Sequence, residues 1–122
     1  TPNWKEAQEI TQKTDLLEVG QRLTKNYHCH AVITRGGEGC SFFKYGFSFG
    51  SKYQHFPKEK ETEVYDVVGA GDTFISALSL SLAAGADFAQ SCILANLAAG
   101  ISVSKVGTAT VSPEELKKVL EK

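Results

Sequence analysis

The chain contains no methionine, not even an initiator, and only three cysteines among its 122 residues. The missing methionine, with a start at Thr1-Pro2-Asn3, reads as a segment of a longer protein. No charged stretch followed by an apolar run opens the chain, which excludes a secretory signal peptide. Cys29, Cys40 and Cys92 are odd in number and show no C-x-x-C spacing, which excludes a disulfide framework and a cysteine-based zinc site. Free thiols imply a reducing compartment, and the expected location is cytoplasmic. Basic excess is also lacking: 13 Lys and Arg stand against 14 Asp and Glu, for a net charge of −1. Nothing there would displace counterions from a phosphate backbone, so a nucleic-acid partner is excluded. The uncharged stretch from Thr73 to Ala86 carries three serines and stops short of a bilayer, so no membrane span is expected.

What is present is ordinary for one globular domain: 42% hydrophobic and 22% charged residues. A chain of this length buries about two-thirds of its unfolded surface on folding, enough for one modest core. Pro2 followed by Trp4–Ile10 predicts a short helix, and Asp15 caps a second through Leu16, Leu17, Val19 and Leu23. Ala31–Thr34 is a short strand rich in β-branched residues that feeds a turn at Gly36-Gly37. Cys40–Phe43 and Phe47–Phe49 read as aromatic strands joined through Lys44–Gly46, and Tyr53–Phe56 alternates up to Pro57. Lys58–Glu61 is a solvated charged loop. Val64–Val68 reads as a strand breaking into Gly69-Ala70-Gly71-Asp72. A long helix follows through Leu82, closed by Gly85, and an alanine-rich helix runs from about Asp87 to Val103. Ser112-Pro113-Glu114-Glu115 opens the last helix with a serine cap and a proline in the first turn. Alternating strands and helices predict an α/β fold in three layers.

The segment Asp66-Val67-Val68-Gly69-Ala70-Gly71-Asp72-Thr73 carries the most chemistry. A strand that ends in a glycine turn and opens a helix aims several backbone N–H groups at one spot, where the helix dipole adds positive charge. Such a nest binds phosphate or stabilises charge on a phosphoryl group in transfer. Asp72 would repel a resting phosphate, so its place there has two explanations. It is either a general base for an attacking hydroxyl or a first-turn acid that complements the dipole. No G-x-x-x-x-G-K-[ST] loop occurs. The dinucleotide pattern G-x-G-x-x-G begins with Gly69 and Gly71 but meets Phe74 at its third glycine, where a large ring obstructs close helix–strand packing.

These residues resemble the C-terminal part of the PfkB, or ribokinase-like, family of carbohydrate kinases. Three signals occur in that family's order: Asn3-Trp4-Lys5-Glu6, then Ile33-Thr34-Arg35-Gly36-Gly37-Glu38-Gly39, then Asp66–Phe74. The resemblance covers residues 1–122 as the nucleotide-binding part of a kinase domain, and implies a ribokinase-like three-layer α/β/α fold, C-terminal part only. Leu94–Ile101 and Lys105–Pro113 look most like the heptose-7-phosphate kinases of ADP-heptose synthesis, which serve lipopolysaccharide core assembly. The activity implied is phosphorylation of a sugar hydroxyl by ATP, for a heptose 7-phosphate at the anomeric position. Asp72 is then the catalytic base, with Gly69, Ala70 and Gly71 as the anion hole. Thr34, Gly36 and Gly39 line the nucleotide, and Asn96 lies near the adenine. Asn3 and Glu6 organise Mg2+ through water. Asp66 and the carbonyl of Val68, with the Lys105–Gly107 loop, match a monovalent cation site of the K+ type. Val67 and Val68 stand where the family often has threonine, so only backbone contacts remain there.

The resemblance also implies that the family's substrate-binding N-terminal region and lid are absent from this sequence. A segment without them is expected to catalyse little alone, because orientation of the acceptor supplies much of the rate. An uncovered sheet edge or face gives it a route to self-association. A nucleotide-binding module without catalysis and a dinucleotide-binding fragment stand as the alternatives. Spacing taken alone reads Asn3 and Glu6 as a helix capping box rather than a metal site. His28-Cys29-His30 reads as entry into a strand and His55 as structural, while Cys40 and Cys92 read as buried small hydrophobes. Trp4, close to the chain start, is expected against surface that belongs to the missing part.

Overall fold

A computed structural model of the chain describes residues 1–46, 53–58, 69–105 and 110–121. It divides into two units, Thr1–Pro57 and Lys58–Lys122.

In the first unit, helix α1 spans Trp4–Thr11 and helix α2 spans Leu16–Tyr27. Strands β1 (Ala31–Thr34), β2 (Cys40–Phe43) and β3 (Gln54–Phe56) form an antiparallel sheet in the order β1-β2-β3. Both helices begin on side-chain caps. Asn3 Oδ1 accepts from the Glu6 N–H and Asp15 Oδ2 from the Glu18 N–H, which satisfies donors that the first turn leaves unpaired. The helices end without glycine. Gln12 (φ 56°) and His28 (φ 52°) take the left-handed conformation, and their N–H groups donate back to Gln8 and Thr24 carbonyls.

The core between helices and sheet consists of Ala7, Val19, Leu23, Ala31, Ile33 and Phe43, with Trp4, Leu16, Leu17 and Tyr53 packed against it. Ala31 pairs with Phe43 and Ile33 with Ser41, so alternate residues of β1 and β2 turn one common face toward the helices. Trp4 packs against this core within its own unit while remaining half-buried. An indole one position past the cap sits where α1 meets β1, and that junction lies entirely within the unit. Gly20 of α2 sits against the Phe43 ring so closely that a Cβ there would come within 2.1 Å of it. Residues Cys40–Phe42 pair with both β1 and β3. The expected partner strand at Phe47–Phe49 lies outside the described residues, as do Glu59–Glu61 of the expected loop.

In the second unit, helix α3 (Ala70–Ala83), helix α4 (Phe88–Val103) and helix α5 (Pro113–Leu120) follow in order. α3 and α4 pack on each other, and the buried surface of α4 is mostly small residues, Ser91, Cys92, Ala95, Ala98, Ala99 and Ser102, together with Asn96 and Val103. Small side chains permit close approach of the two backbones. Serine hydroxyls there find partners across the interface, with Ser91 Oγ donating to Ser81 Oγ at 3.1 Å. Asp87 and Gln90 form a capping box on α4, and Ser112 and Glu115 form another on α5. Gly85 (φ 98°) follows the end of α3 in the conformation that glycine tolerates best.

Candidate functional site

The first unit brings five of the expected site residues together. Thr34 donates its N–H to the Pro2 carbonyl at 3.1 Å, and Asn3 forms a parallel bridge with Thr34. The entry to α1, with Asn3 and Glu6, therefore runs beside the end of β1. The turn that follows β1 is a short 3-10 segment at Gly36–Glu38. Its ends are tied: the Arg35 N–H donates to the Gly39 carbonyl at 2.8 Å and the Gly39 N–H to the Gly36 carbonyl at 3.2 Å.

Asn3 and Glu6 form the capping box in full. Asn3 Oδ1 accepts from the Glu6 N–H at 2.8 Å, and Glu6 Oε2 accepts from the Asn3 N–H at 2.9 Å. Capping and metal organisation do not exclude each other, because each residue is exposed and the glutamate has a second carboxylate oxygen. The two are oxygen donors of the hard type that suits Mg2+ held through water. Among the described residues no group of three or more His, Cys, Asp or Glu is placed to hold a metal ion directly.

The two glycines of the turn differ in kind. Gly36 (φ 57°) is open on its Cβ side, with nothing within 4 Å. Gly39 (φ 95°) is buried, and a Cβ there would meet the Phe56 carbonyl oxygen at 2.0 Å. Glycine at 39 is thus required by the approach of β2 to β3, whether or not a ligand passes near it.

The second unit carries the other group. Gly69 (φ 79°) begins α3 and offers no side-chain cap. Every other described α-helix takes one, from Asn3, Asp15, Asp87 or Ser112. The Ala70, Gly71 and Asp72 amides belong to the first turn, whose donors have no acceptor within the helix. They stand at the positive end of a helix 14 residues long. Gly71 has nothing within 4 Å of its Cβ position, so the backbone there is open to a ligand. Asp72 is exposed in that same turn. Behind it, Thr73 Oγ1 approaches Ser102 Oγ at 3.4 Å, linking the start of α3 to the end of α4. Phe74, at the position of the third glycine in a dinucleotide pattern, is buried.

Asn96 is buried in α4, six residues before Ser102 and therefore roughly 9 Å back along the helix axis. It is set apart from the glycine turn along the same helix pair. Asp66, Val67 and Val68 lie outside the described residues. So does the Lys105–Gly107 loop beyond Lys105 itself. Lys105 Nζ donates to the Thr110 carbonyl at 2.8 Å and to both oxygens of Glu115 at 2.7 and 2.9 Å. Held first by this hydrogen bond and then by the Ser112 N–H, the Glu115 carboxyl lies below its ordinary pKa.

The remaining candidates are structural. His28 closes α2 with its ring edge-on to Tyr45, and His30 Nδ1 accepts from the Tyr45 N–H at 2.9 Å, so both imidazoles pack at the turn after β2. His55 Nδ1 shares a hydrogen bond with the buried Ser41 hydroxyl at 2.9 Å. Cys40 and Cys92 are buried and Cys29 is exposed. Sequence reasoning gave no role to Arg35 or to the Lys105–Glu115 pair. Arg35 lay inside the quoted turn, but its partner Trp4 is 31 positions away in the chain.

A family model described as pfkB family carbohydrate kinase matches residues 1–115. The bifunctional proteins HldE of Shewanella sp. (strain W3-18-1) and Aeromonas salmonicida (strain A449) are 45% and 43% identical to this chain over 125 aligned positions. Each alignment covers 98% of this chain and 25% of the relative, so the chain spans about a quarter of the curated relatives it matches. Among solved structures, a ribokinase from Thermotoga maritima aligns with a TM-score of 0.88 at 21% identity, over 99% of this chain and 41% of that one. A ribokinase from Arabidopsis thaliana, complexed with ribose and ATP, aligns with a TM-score of 0.84 at 22% identity, over 99% and 40%. The fold is a partial ribokinase-like α/β domain.

Proposed function

This chain belongs to the pfkB family of carbohydrate kinases, and on that premise we propose that it is the nucleotide-binding part of an enzyme that transfers a phosphoryl group from ATP to a sugar hydroxyl. The resemblance of Leu94–Ile101 and Lys105–Pro113 to heptose-7-phosphate kinases gives the anomeric hydroxyl of a heptose 7-phosphate as the acceptor, in the supply of ADP-heptose for lipopolysaccharide, and the similarity to bifunctional HldE proteins supports it. A cytoplasmic location goes with that reading.

The observation that carries the proposal is the uncapped, glycine-opened start of α3 with Asp72 in its first turn. In the transfer, the acceptor hydroxyl oxygen bonds to the γ-phosphorus while the bond from that phosphorus to the departing ADP oxygen breaks. Asp72 takes the hydroxyl proton as its oxygen becomes bound to phosphorus. The Gly69–Gly71 amides donate to the equatorial oxygens, where negative charge is spread in the transition state. Their orientation is fixed by the helix before the reaction starts, so no reorganisation opposes the step. Thr34 and Gly36 border the nucleotide, with Gly39 supporting the turn from beneath, and Asn96 contributes near the adenine. Asn3 and Glu6 would hold Mg2+ through water, and the ion would supply charge neutralisation to the nucleotide phosphates. Asp66 and the Val68 carbonyl would serve a K+-type ion beside the anion hole. The acceptor site belongs to the part of the enzyme that this chain does not span, and the segment alone is expected to be nearly inactive.

Calorimetric titration of the chain with ATP in the presence and absence of Mg2+, and with NAD in parallel, tests the proposal. Magnesium-dependent ATP binding, even at millimolar affinity, is the expected result. NAD binding without ATP binding would overturn it in favour of the dinucleotide reading.

A further inference from the structure

We propose that Arg35 is a positioning residue that locks the magnesium-organising turn at Asn3 and Glu6 onto the glycine turn at Gly36–Gly39; this rests on the reading of Asn3 and Glu6 given above. The two turns meet through backbone contacts alone at Thr34–Pro2 and at the Asn3–Thr34 bridge. Ala7 and Trp4 seat the buried side of α1 in the core with Ile33. Arg35 adds a side-chain restraint directly between the two turns. Its guanidinium carbon lies 5.8 Å from the centroid of the Trp4 ring, and Nη2 pairs with Glu38 Oε2 at 2.8 Å. Trp4 is the residue between the cap and the rest of α1, and Glu38 is the last residue of the 3-10 turn. One cation thus touches both segments, the Trp4 ring on one side and the Glu38 carboxylate on the other.

Two further observations favour a fixed position over a mobile surface arginine. Nε is buried, with no hydrogen-bond partner among the described residues, so the inner part of the guanidinium is drawn into the protein rather than extended into solvent. The Arg35 main chain is bound at both ends of the turn, its N–H to the Gly39 carbonyl and its carbonyl from the Glu38 N–H. Side chain and backbone of one residue therefore couple the position of Gly36–Gly39 to that of Asn3 and Glu6.

Residue-resolved hydrogen exchange on this chain tests the inference, using Arg35→Met, which keeps the aliphatic stem, and Arg35→Lys, which keeps the charge without the planar face. In the ligand-free chain, Arg35→Met is expected to speed exchange at the Glu6 and Ala7 amides roughly five- to tenfold while Val19 and Leu23 in α2 stay unchanged. Arg35→Lys is expected to restore part of the protection. Unchanged exchange at Glu6 in Arg35→Met overturns the grip itself. With ATP present and Mg2+ titrated, the native chain should gain protection at Glu6, and Arg35→Met should need several-fold more Mg2+ to reach half of it. An unshifted Mg2+ midpoint overturns the positioning role, because a merely structural arginine would leave it in place. Absence of any Mg2+-dependent protection at Glu6 in the native chain overturns the metal reading of Asn3 and Glu6, and this inference with it; the ligand-free exchange result tells that failure apart from failure of the grip.

Discussion

The Lys105 ammonium holds the Glu115 carboxylate by both oxygens, at 2.7 and 2.9 Å, while one of those oxygens also accepts the Ser112 N–H. One carboxylate thereby closes the capping box of α5 and anchors the end of the segment that leaves α4. Its lowered pKa gives the pairing a pH dependence of definite sign. A carboxylate whose folded pKa lies below its unfolded value stabilises the fold above the unfolded value, and that contribution fades as pH falls through the folded one. Docking of α5 should therefore weaken in acid below about pH 4.3, the usual glutamate range. Exchange at the α5 amides measured between pH 7 and pH 3 checks this. Glu115→Gln should reproduce the acid state at neutral pH and abolish the dependence.

Gly20→Ala tests the packing of α2 on the sheet. Alanine in a helix interior is favoured over glycine by about 1 kcal/mol. Here a Cβ would overlap the buried Phe43 ring at 2.1 Å, and forcing extra volume into a packed core costs about 1–3 kcal/mol. Steric overlap should win, giving a net loss of stability in urea unfolding. The double variant Gly20→Ala with Phe43→Leu should recover part of it.

Asp72→Asn tests the base. In a full-length enzyme carrying this segment, turnover should fall by at least about 100-fold, the lower end of general base contributions. Affinity for ATP should stay close to native, since asparagine keeps the shape of the turn. Turnover near native would leave Asp72 as a helix-dipole acid only.

Asn3→Ala separates capping from metal organisation. Loss of the cap should cost about 1 kcal/mol in unfolding. Asp15→Ala, which removes the cap of α2 by the same chemistry, serves as the control. Both variants should lose similar stability, but Asn3→Ala alone should raise the Mg2+ concentration needed for half-maximal ATP binding.

Thiol labelling of the native chain should modify Cys29 alone, because Cys40 and Cys92 are buried and Cys29 is exposed. Three thiols should react once the chain is unfolded. Fast labelling of a second thiol in the native state would place one of the two buried cysteines on a surface.

Features that rest on local chemistry could be read from the residues alone. Asn3, Asp15 and Ser112 were legible as caps because a short polar side chain before a helical pattern answers the unpaired first-turn donors wherever it occurs, whereas Asp87 read as the first residue of its helix and proved to be its cap. The glycine turn ahead of α3 and the order of the three motifs were legible for the same reason, and they led to the family. Tertiary structure alone decided the rest. Gln12 and His28 end helices in a conformation that composition does not advertise, because packing of the next segment outweighs a local cost of about 1–2 kcal/mol. Gly20 and Gly39 look like any other glycine until Phe43 and Phe56 arrive from distant strands. Trp4 and Arg35 meet only when α1 settles beside β1. Those contacts join residues far apart in sequence, and a local pattern carries no record of which distant side chain will fill the space beside it.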